Sequence, residues 1–278
     1  MNIGIVGLGL IGGSLGLDLR AAGYQVLGVS RRDKVCRDAI ARGVVDDAAV
    51  DMALLAAADV VFVCTPISAI ASTVQQLIPH LSADAIITDV GSVKKSVVEA
   101  ITPLWANFVG GHPMAGTAES GLEAAVQNLF VGKAYVLTPV ATTPPAAVKT
   151  VEEIVRSLEA KIYHCSPENH DKAVARISHL PVMVSATLID ACISETDQVV
   201  LELAQQLASS GFRDTSRVGG GNPELGLMMA RYNRVELLQS LQQYRHCLDE
   251  IISQIEQEDW NGLHSKLTTT QSKRSQFC

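Results

Sequence analysis

The stretch Asn2-Ile3-Gly4-Ile5-Val6-Gly7-Leu8-Gly9-Leu10-Ile11-Gly12 decides how the rest of the chain is read. Its first five residues form a short apolar run of the kind that makes a buried strand, and Leu15, Leu17 and Leu19 follow on a helical segment. A GxGxxG sequence alone is a weak signal. Set between a strand and a helix, with a second strand ending near Val29, it reads as a dinucleotide-binding turn. Gly7 allows the tight turn, Gly9 lets the backbone approach a pyrophosphate, and Gly12 lets helix and strand pack closely. The diphosphate is expected on the helix N-terminus at Leu10 and Ile11, where unpaired N–H groups and the dipole favour an anion.

Working outward, short runs rich in Val, Ile and Ala alternate with amphipathic segments as far as about residue 165, the rhythm of βαβ units. Strands are expected at Asn2–Val6, Gln25–Val29, 59–64, 85–90, 107–109, 135–137 and Lys161–His164. Several are continuously apolar, as strands covered by helices on both faces should be. Beyond residue 165 the strand signal fades. Ser166 followed by Pro167 reads as an N-cap with proline at the first helical position, opening a long helix through Ala173, Ile177 and Val184. The expected architecture is α/β: a Rossmann-type, doubly wound domain over residues 1–165, then an all-α domain over 166–278. In the latter, Leu237, Leu241, Tyr244, Leu248, Ile251 and Ile255 recur at steps of three and four, a seam that needs a second helix. Packing within one subunit and a homodimer interface both satisfy it. Gly219-Gly220-Gly221 reads as a loop over the site or a linker, and the polar tail from Thr268 as a fraying end.

Composition removes other classes. The 278 residues carry 22 Lys+Arg against 29 Asp+Glu, a net charge of −7, without long runs of one sign, which disfavours nucleic-acid and anionic-membrane partners. Six cysteines lie far apart with no CxxC pair, so they read as reduced thiols of a cytoplasmic protein rather than a zinc site or a disulfide framework. The N-terminus lacks the basic region of a signal peptide, and no apolar run reaches the roughly 18 residues of a membrane span.

The end of the second strand distinguishes the two nicotinamide dinucleotides. An NAD site places Asp or Glu there to hold the ribose 2′-hydroxyl, whereas this chain reads Val29-Ser30-Arg31-Arg32. Two guanidiniums and a hydroxyl match the 2′-phosphate of NADP. Cys64-Thr65-Pro66 and Asp89-Val90-Gly91-Ser92 end further strands and are expected to face the nicotinamide half. The next strand leads into Gly110-Gly111-His112-Pro113-Met114-Ala115-Gly116-Thr117, an imidazole among flexible glycines. A dehydrogenase needs a group that accepts the hydroxyl proton as hydride leaves, and of the seven histidines His112 is the best placed for it. His170 and His179 are nine residues apart, about half a turn out of phase on a regular helix, and form no natural metal pair; no metal site is expected. Lys94 and Lys95 read as a solvated helix face.

Five blocks in order carry a resemblance: GLGLIGGS at 7–14, DVGSVK at 89–94, GGHPMAGTAESG at 110–121, PENHD with SHLP within 167–181, and GFRDTSR at 211–217. With these the sequence resembles the prephenate/arogenate dehydrogenase family of tyrosine biosynthesis, close to its bacterial arogenate dehydrogenases. The resemblance implies oxidative decarboxylation of a cyclohexadienol: hydride passes to the nicotinamide, carbon dioxide leaves and the ring becomes aromatic. It further implies that His112 takes the ring hydroxyl proton, that Ser92 orients that hydroxyl or the imidazole, and that Arg217 clamps a substrate carboxylate. Met114 joins the cofactor contacts; Gly116, Thr117 and Asp214 join the substrate contacts, with Asp214 and Glu119 as candidates for the arogenate ammonium. Some prephenate-using members carry a histidine after the SHLP block, where this chain has Val182, and Glu where it has Ala118, so the expected substrate is arogenate before prephenate. Two other readings stay open: a β-hydroxyacid or imine reductase, which would need a lysine such as Lys172, and a non-catalytic dinucleotide sensor.

The cofactor reading has a direct check. Arg31→Ala is expected to raise the KM for NADP far more than that for NAD, and equal effects on both would contradict the 2′-phosphate assignment.

Overall fold

The computed structural model describes residues 1–117 and 119–277; Ala118 and Cys278 lie outside the described residues. Among the described residues, eight strands form one sheet: β1 (Asn2–Val6), β2 (Gln25–Val29), β3 (Asp47–Ala49), β4 (Val60–Val63), β5 (Ile86–Asp89), β6 (Phe108–Pro113), β7 (Ala134–Thr138) and β8 (Lys161–His164), in the order β3-β2-β1-β4-β5-β6-β7-β8. From β3 to β6 all neighbours are parallel; β7 runs antiparallel to β6, and β8 runs parallel to β7. The 3-2-1-4-5-6 order is that of a Rossmann sheet, whose direction of winding reverses between β1 and β4.

The helices of this half are α1 (Leu10–Ala21), α2 (Asp33–Ala41), α3 (Ile67–Leu77), α4 (Lys95–Ile101) and α5 (Pro145–Ser157). They cover both faces, so alternate residues along a strand enter two different cores. Ile3, Ile5 and Phe62 pack with Leu15 and Leu19 of α1, while Val6, Val61 and Val63 pack with Ile70 and Val74 of α3. Burial on both faces explains why β1 and β4 read as unbroken apolar runs.

The helical half contains α6 (Pro167–Val174), α7 (Leu180–Ile193), α8 (Gln198–Leu207), α9 (Ser210–Ser216), α10 (Pro223–Tyr232), α11 (Arg234–Glu256) and α12 (Trp260–Lys273). Ser166 caps α6 as expected, its side chain accepting from the Asn169 amide, with Pro167 at the helix start. A π-helical turn, Ala175–His179, joins α6 to α7 without a break.

Several expectations need correction. β3 was missing from the expected strands: three residues, Asp47-Ala48-Ala49, carry too little β-branched character to stand out. β6 is longer than the expected 107–109 and includes Gly110, Gly111 and His112, which pair with Thr138, Leu137 and Val136. The two glycines are therefore not flexible loop residues. A Cβ on Gly110 would lie 2.5 Å from Thr138 Oγ1, and one on Gly111 2.7 Å from the Asp89 carbonyl oxygen. Gly219 is not a free linker either, since its amide donates to Ser185 Oγ at 2.8 Å and a Cβ there would collide with the α7 backbone. The tail from Thr268 continues α12 to Lys273. Finally, the continuous helix Pro167–Ile193 is by length and composition apolar enough to cross a membrane, with only 11% of its most apolar window buried.

Much of this helical half is uncovered within one chain. Val199, Val200, Leu203 and Leu207 of α8 are exposed, and α8 has no buried residue. Of the expected seam on α11, Leu237 is buried, but Tyr244, Leu248 and Ile255 are 41–49% exposed. Between α7 and α11 lies a groove of about 770 Å³ lined by Val184, Leu188, Leu238, Leu241 and Leu248.

Candidate active site

The carboxyl ends of β1, β4, β5 and β6 lie side by side in the sheet, and each leads into one of the motifs. After β1, Gly7 has φ +102°, and a Cβ on it would meet the Cys64 carbonyl oxygen at 2.7 Å. A Cβ on Gly12 would meet the Gly7 carbonyl oxygen at 2.1 Å, whereas around Gly9 there is open space. Gly9 caps α1 with no side chain on the helix N–H groups. Tight packing at Gly7 and Gly12, with an open, uncapped helix start between them, fits a dinucleotide diphosphate.

At the end of β2, Ser30 is half-buried and Arg31 and Arg32 are exposed; among the described residues neither arginine has an ion-pair partner. Cys64, Thr65 and Pro66 connect β4 to α3, with Thr65 Oγ1 3.4 Å from Thr73 Oγ1. Burial and the nearby Asp89 carboxylate push the Cys64 thiol up, so it stays protonated.

Beneath the β5 and β6 ends is a buried ion pair that the sequence reading missed. Lys94 and Asp89 are both fully buried, their side chains joined by a short hydrogen bond. Asp89 also accepts from the Gly91 amide at 2.8 Å and the Gly111 amide at 3.2 Å, while Lys94 Nζ donates to the Gly111 carbonyl at 2.7 Å. This pair ties the strand that carries His112 to the end of its neighbour. Lys94 is thus no solvated lysine, although Lys95 beside it is exposed. Burial lowers the Lys94 pKa, and Asp89 opposes that shift. Losing either partner would strand a buried charge, at a cost of about 3–5 kcal/mol.

His112 lies at the end of β6 and is 8% exposed. Its Nδ1 is 2.8 Å from His170 Nε2, and His170 Nδ1 is 2.7 Å from Asp171 Oδ1. The Asp171 carboxylate also accepts from the amides of Lys94 at 2.7 Å and Lys95 at 2.9 Å, which caps α4. Asn233 donates to the Asp171 carbonyl at 2.8 Å and lies 3.2 Å from His179 Nδ1. His170 and His179 are both buried around this cluster. A regular helix would have placed them on opposite faces; the π turn between them alters the phase, a device frequent at functional sites. Burial first, then His170, Lys94 and His179, push the His112 pKa well below its usual 6.5. Burial holds His179 at about 4.

The other expected site residues are less engaged. Ser92 and Met114 are half-buried, and Gly116 and Thr117 are exposed, with Thr117 Oγ1 accepting from the Glu119 amide at 3.2 Å. Arg217 is exposed at the end of α9, and Asp214 pairs with Arg213 at 3.5 Å rather than with Arg217. No hydrogen bond among the described residues joins Arg217 or Asp214 to His112. Lys172 is exposed while its neighbours His170 and Asp171 are buried, so the second-domain lysine that the β-hydroxyacid reading needs does not join the cluster.

Residues 15–164 match the nucleotide-binding domain of prephenate dehydrogenase, and residues 166–269 match the prephenate dehydrogenase dimerization domain. A prephenate dehydrogenase of Bacillus subtilis is 31% identical over 277 residues, covering 97% of this chain and 74% of that one. The crystal structure of Synechocystis arogenate dehydrogenase superposes with a TM-score of 0.91 at 54% identity, covering both chains fully. A prephenate dehydrogenase from A. aeolicus, solved with hydroxyphenyl propionate and NAD+, has a TM-score of 0.94 at 29% identity over 100% of this chain and 98% of that one.

The neutral, buried histidines predict an acid-sensitive fold. An unfolded chain protonates His179 near pH 6.5 and the folded one only near 4, so its contribution is fully present above 6.5 and lost as pH falls through 4. Between pH 7 and 4.5 this amounts to about 2–3 kcal/mol. Urea unfolding of His179→Gln and wild type at fixed protein concentration should show a pH dependence weaker by that amount in the variant; identical slopes would contradict it.

Proposed function

Since the chain belongs to the prephenate dehydrogenase family, an oxidoreductase family of tyrosine biosynthesis, we propose that it catalyses the NADP-dependent oxidative decarboxylation of arogenate to tyrosine. The observation that carries the reading is His112: a buried imidazole held neutral, with Nδ1 engaged by His170 and Nε2 left as the free ring nitrogen, on the same sheet edge as the glycine turn. A nicotinamide dinucleotide, when bound at that turn, supplies the hydride acceptor.

The chain's residues then divide the work. The N–H groups at the start of α1 hold the diphosphate, and Ser30, Arg31 and Arg32 meet the 2′-phosphate, with no carboxylate at the end of β2 to favour the free hydroxyl. Cys64, Thr65, Pro66, Gly91 and Met114 line the nicotinamide half. His112 Nε2 receives the proton of the ring hydroxyl as hydride leaves the carbon that bears it, and Ser92 orients that hydroxyl. The ring carboxylate departs as carbon dioxide, its bonding electrons completing the aromatic ring. Arg217 receives the side-chain carboxylate, with Gly116, Thr117 and Asp214 around the remainder of the substrate. Holding His112 neutral suits this role, because a protonated imidazole could not accept the proton.

Arogenate is favoured over prephenate by the 54% identity to an arogenate dehydrogenase and by Val182 after the SHLP block. We further propose that the chain works as a homodimer in the cytoplasm. The exposed apolar faces of α7, α8 and α11, within the part that matches a dimerization domain, are the surfaces a second copy would cover.

Initial rates of reduced-cofactor formation at 340 nm, with arogenate and prephenate each paired with NADP and NAD, test the proposal. The arogenate and NADP pair should give the highest kcat/KM, and His112→Asn should lower turnover by about 10² or more while still binding NADP. A kcat/KM for prephenate at least about tenfold higher would overturn the substrate assignment, and turnover of neither substrate would favour the non-catalytic sensor.

A further inference from the structure

Proton acceptance by His112 requires more than a neutral ring; the lone pair must sit on the correct nitrogen. Nδ1 faces into the protein, 2.8 Å from His170, so only Nε2 is free to meet a substrate hydroxyl. A neutral imidazole has one donor and one acceptor nitrogen, and solvent does not choose between them for a ring that is 8% exposed.

We propose that His170 and Asp171 are positioning residues that impose the reactive tautomer on His112, and that they do so only while the helical half is docked on the sheet. This deepens the reading of the site given above and rests on it. Asp171 fixes the first proton of the series. Its carboxylate is acceptor-only and receives the Lys94 and Lys95 amides, so the contact with His170 Nδ1 is an N–H donated to Asp171. In neutral His170 the proton on Nδ1 leaves Nε2 as the acceptor. His112 must therefore donate through its own Nδ1–H, which leaves the lone pair on Nε2. One carboxylate thus sets two tautomers in series, and the second belongs to the base. When His112 takes the substrate proton at Nε2, its Nδ1–H still points at the His170 acceptor, and the resulting positive charge lies one imidazole away from Asp171.

The placement of the three residues adds the second part. His112 is on β6, whereas His170 and Asp171 are on α6, the first helix of the other half. The bonds from Lys94 N and Lys95 N to Asp171 are the start of α4 docking on α6. Asn233 at the start of α11 holds the Asp171 carbonyl and lies 3.2 Å from His179 Nδ1, so a second helix of that half also fixes Asp171. The other charged or titratable groups around the imidazole are Lys94 and Asp89 on the sheet side and His179 in the π turn; none of them hydrogen-bonds His112 among the described residues.

Substitution of His170 separates positioning from packing. In His170→Ala the acceptor is lost, and kcat should fall by at least about tenfold, toward the roughly 10⁴-fold loss known when a catalytic histidine loses its tautomer-setting partner; KM should stay within about threefold, because His170 does not touch substrate. His170→Gln places an amide oxygen where Nε2 was and should recover much of that loss; Asp171→Asn should resemble His170→Ala. Nitrogen-15 spectra of histidine-labelled protein, assigned with His112→Asn, give a readout independent of turnover. They should show His112 protonated at Nδ1 in wild type and His170→Gln, and a shift toward the Nε2–H tautomer in His170→Ala. A folded His170→Ala protein with wild-type kcat, or a wild-type His112 protonated at Nε2, would overturn the inference. If wild type turned over neither substrate, the functional reading would fall while the spectra still decided the tautomer question.

Discussion

The Asp171 carboxylate joins everything that matters in this molecule. It accepts the two amides that begin α4, at 2.7 and 2.9 Å, and the Nδ1 proton of His170. The first two bonds hold the helical half against the sheet, and the third starts the chain of hydrogen bonds that ends at His112. Charge-assisted bonds of this kind are about twice as strong as neutral ones and are sensitive to direction. The contact between the two halves and the hydrogen-bond chain to His112 therefore share one anchor.

A second buried charge pair supports the first. Lys94 gives its amide to Asp171 and its ammonium to Asp89, which places a single residue between the helical half and the strand that carries His112. Buried ion pairs are poor sources of net stability, since desolvation consumes most of the Coulomb gain. What this one supplies is position: Gly91, Gly111 and Lys94 are drawn onto one carboxylate, and the lysine charge helps keep the nearby imidazole unprotonated. The glycines of the GGHP segment serve the same end, since side chains at Gly110 or Gly111 would push β6 away from its neighbours.

How much of this was legible in the sequence depended on the range of the interaction. The glycine turn, the apolar strands, the Ser166-Pro167 helix start and the change from α/β to all-α are local patterns, and local patterns survive in one dimension. His112 stood out because it combines an imidazole with glycines at the sheet edge that carries the glycine turn, where the other six histidines are less well placed. His170 was read on a regular helix of roughly 100° per residue, and the π turn at Ala175–His179, which has no reliable sequence signature, changes that phase. Lys94 lies among Ser92, Lys95 and Ser96 and so looked solvated; only the fold brings Asp89, Gly111 and Asp171 around it. The apolar helix Pro167–Ile193 escaped notice because its charged first turns interrupt the run before its apolar stretch begins.

The central claim is that His112 is a base kept neutral by burial and by the charges around it. The most direct test is the pH dependence of kcat/KM for wild type with its preferred substrate and cofactor. This parameter reports the free enzyme, in which His112 titrates well below 6.5. The account predicts that kcat/KM stays level as pH is lowered from 8 to 6.5 and declines only below that. An acid limb centred at or above pH 6.5 would mean that the imidazole titrates like an ordinary solvated histidine, and would contradict it.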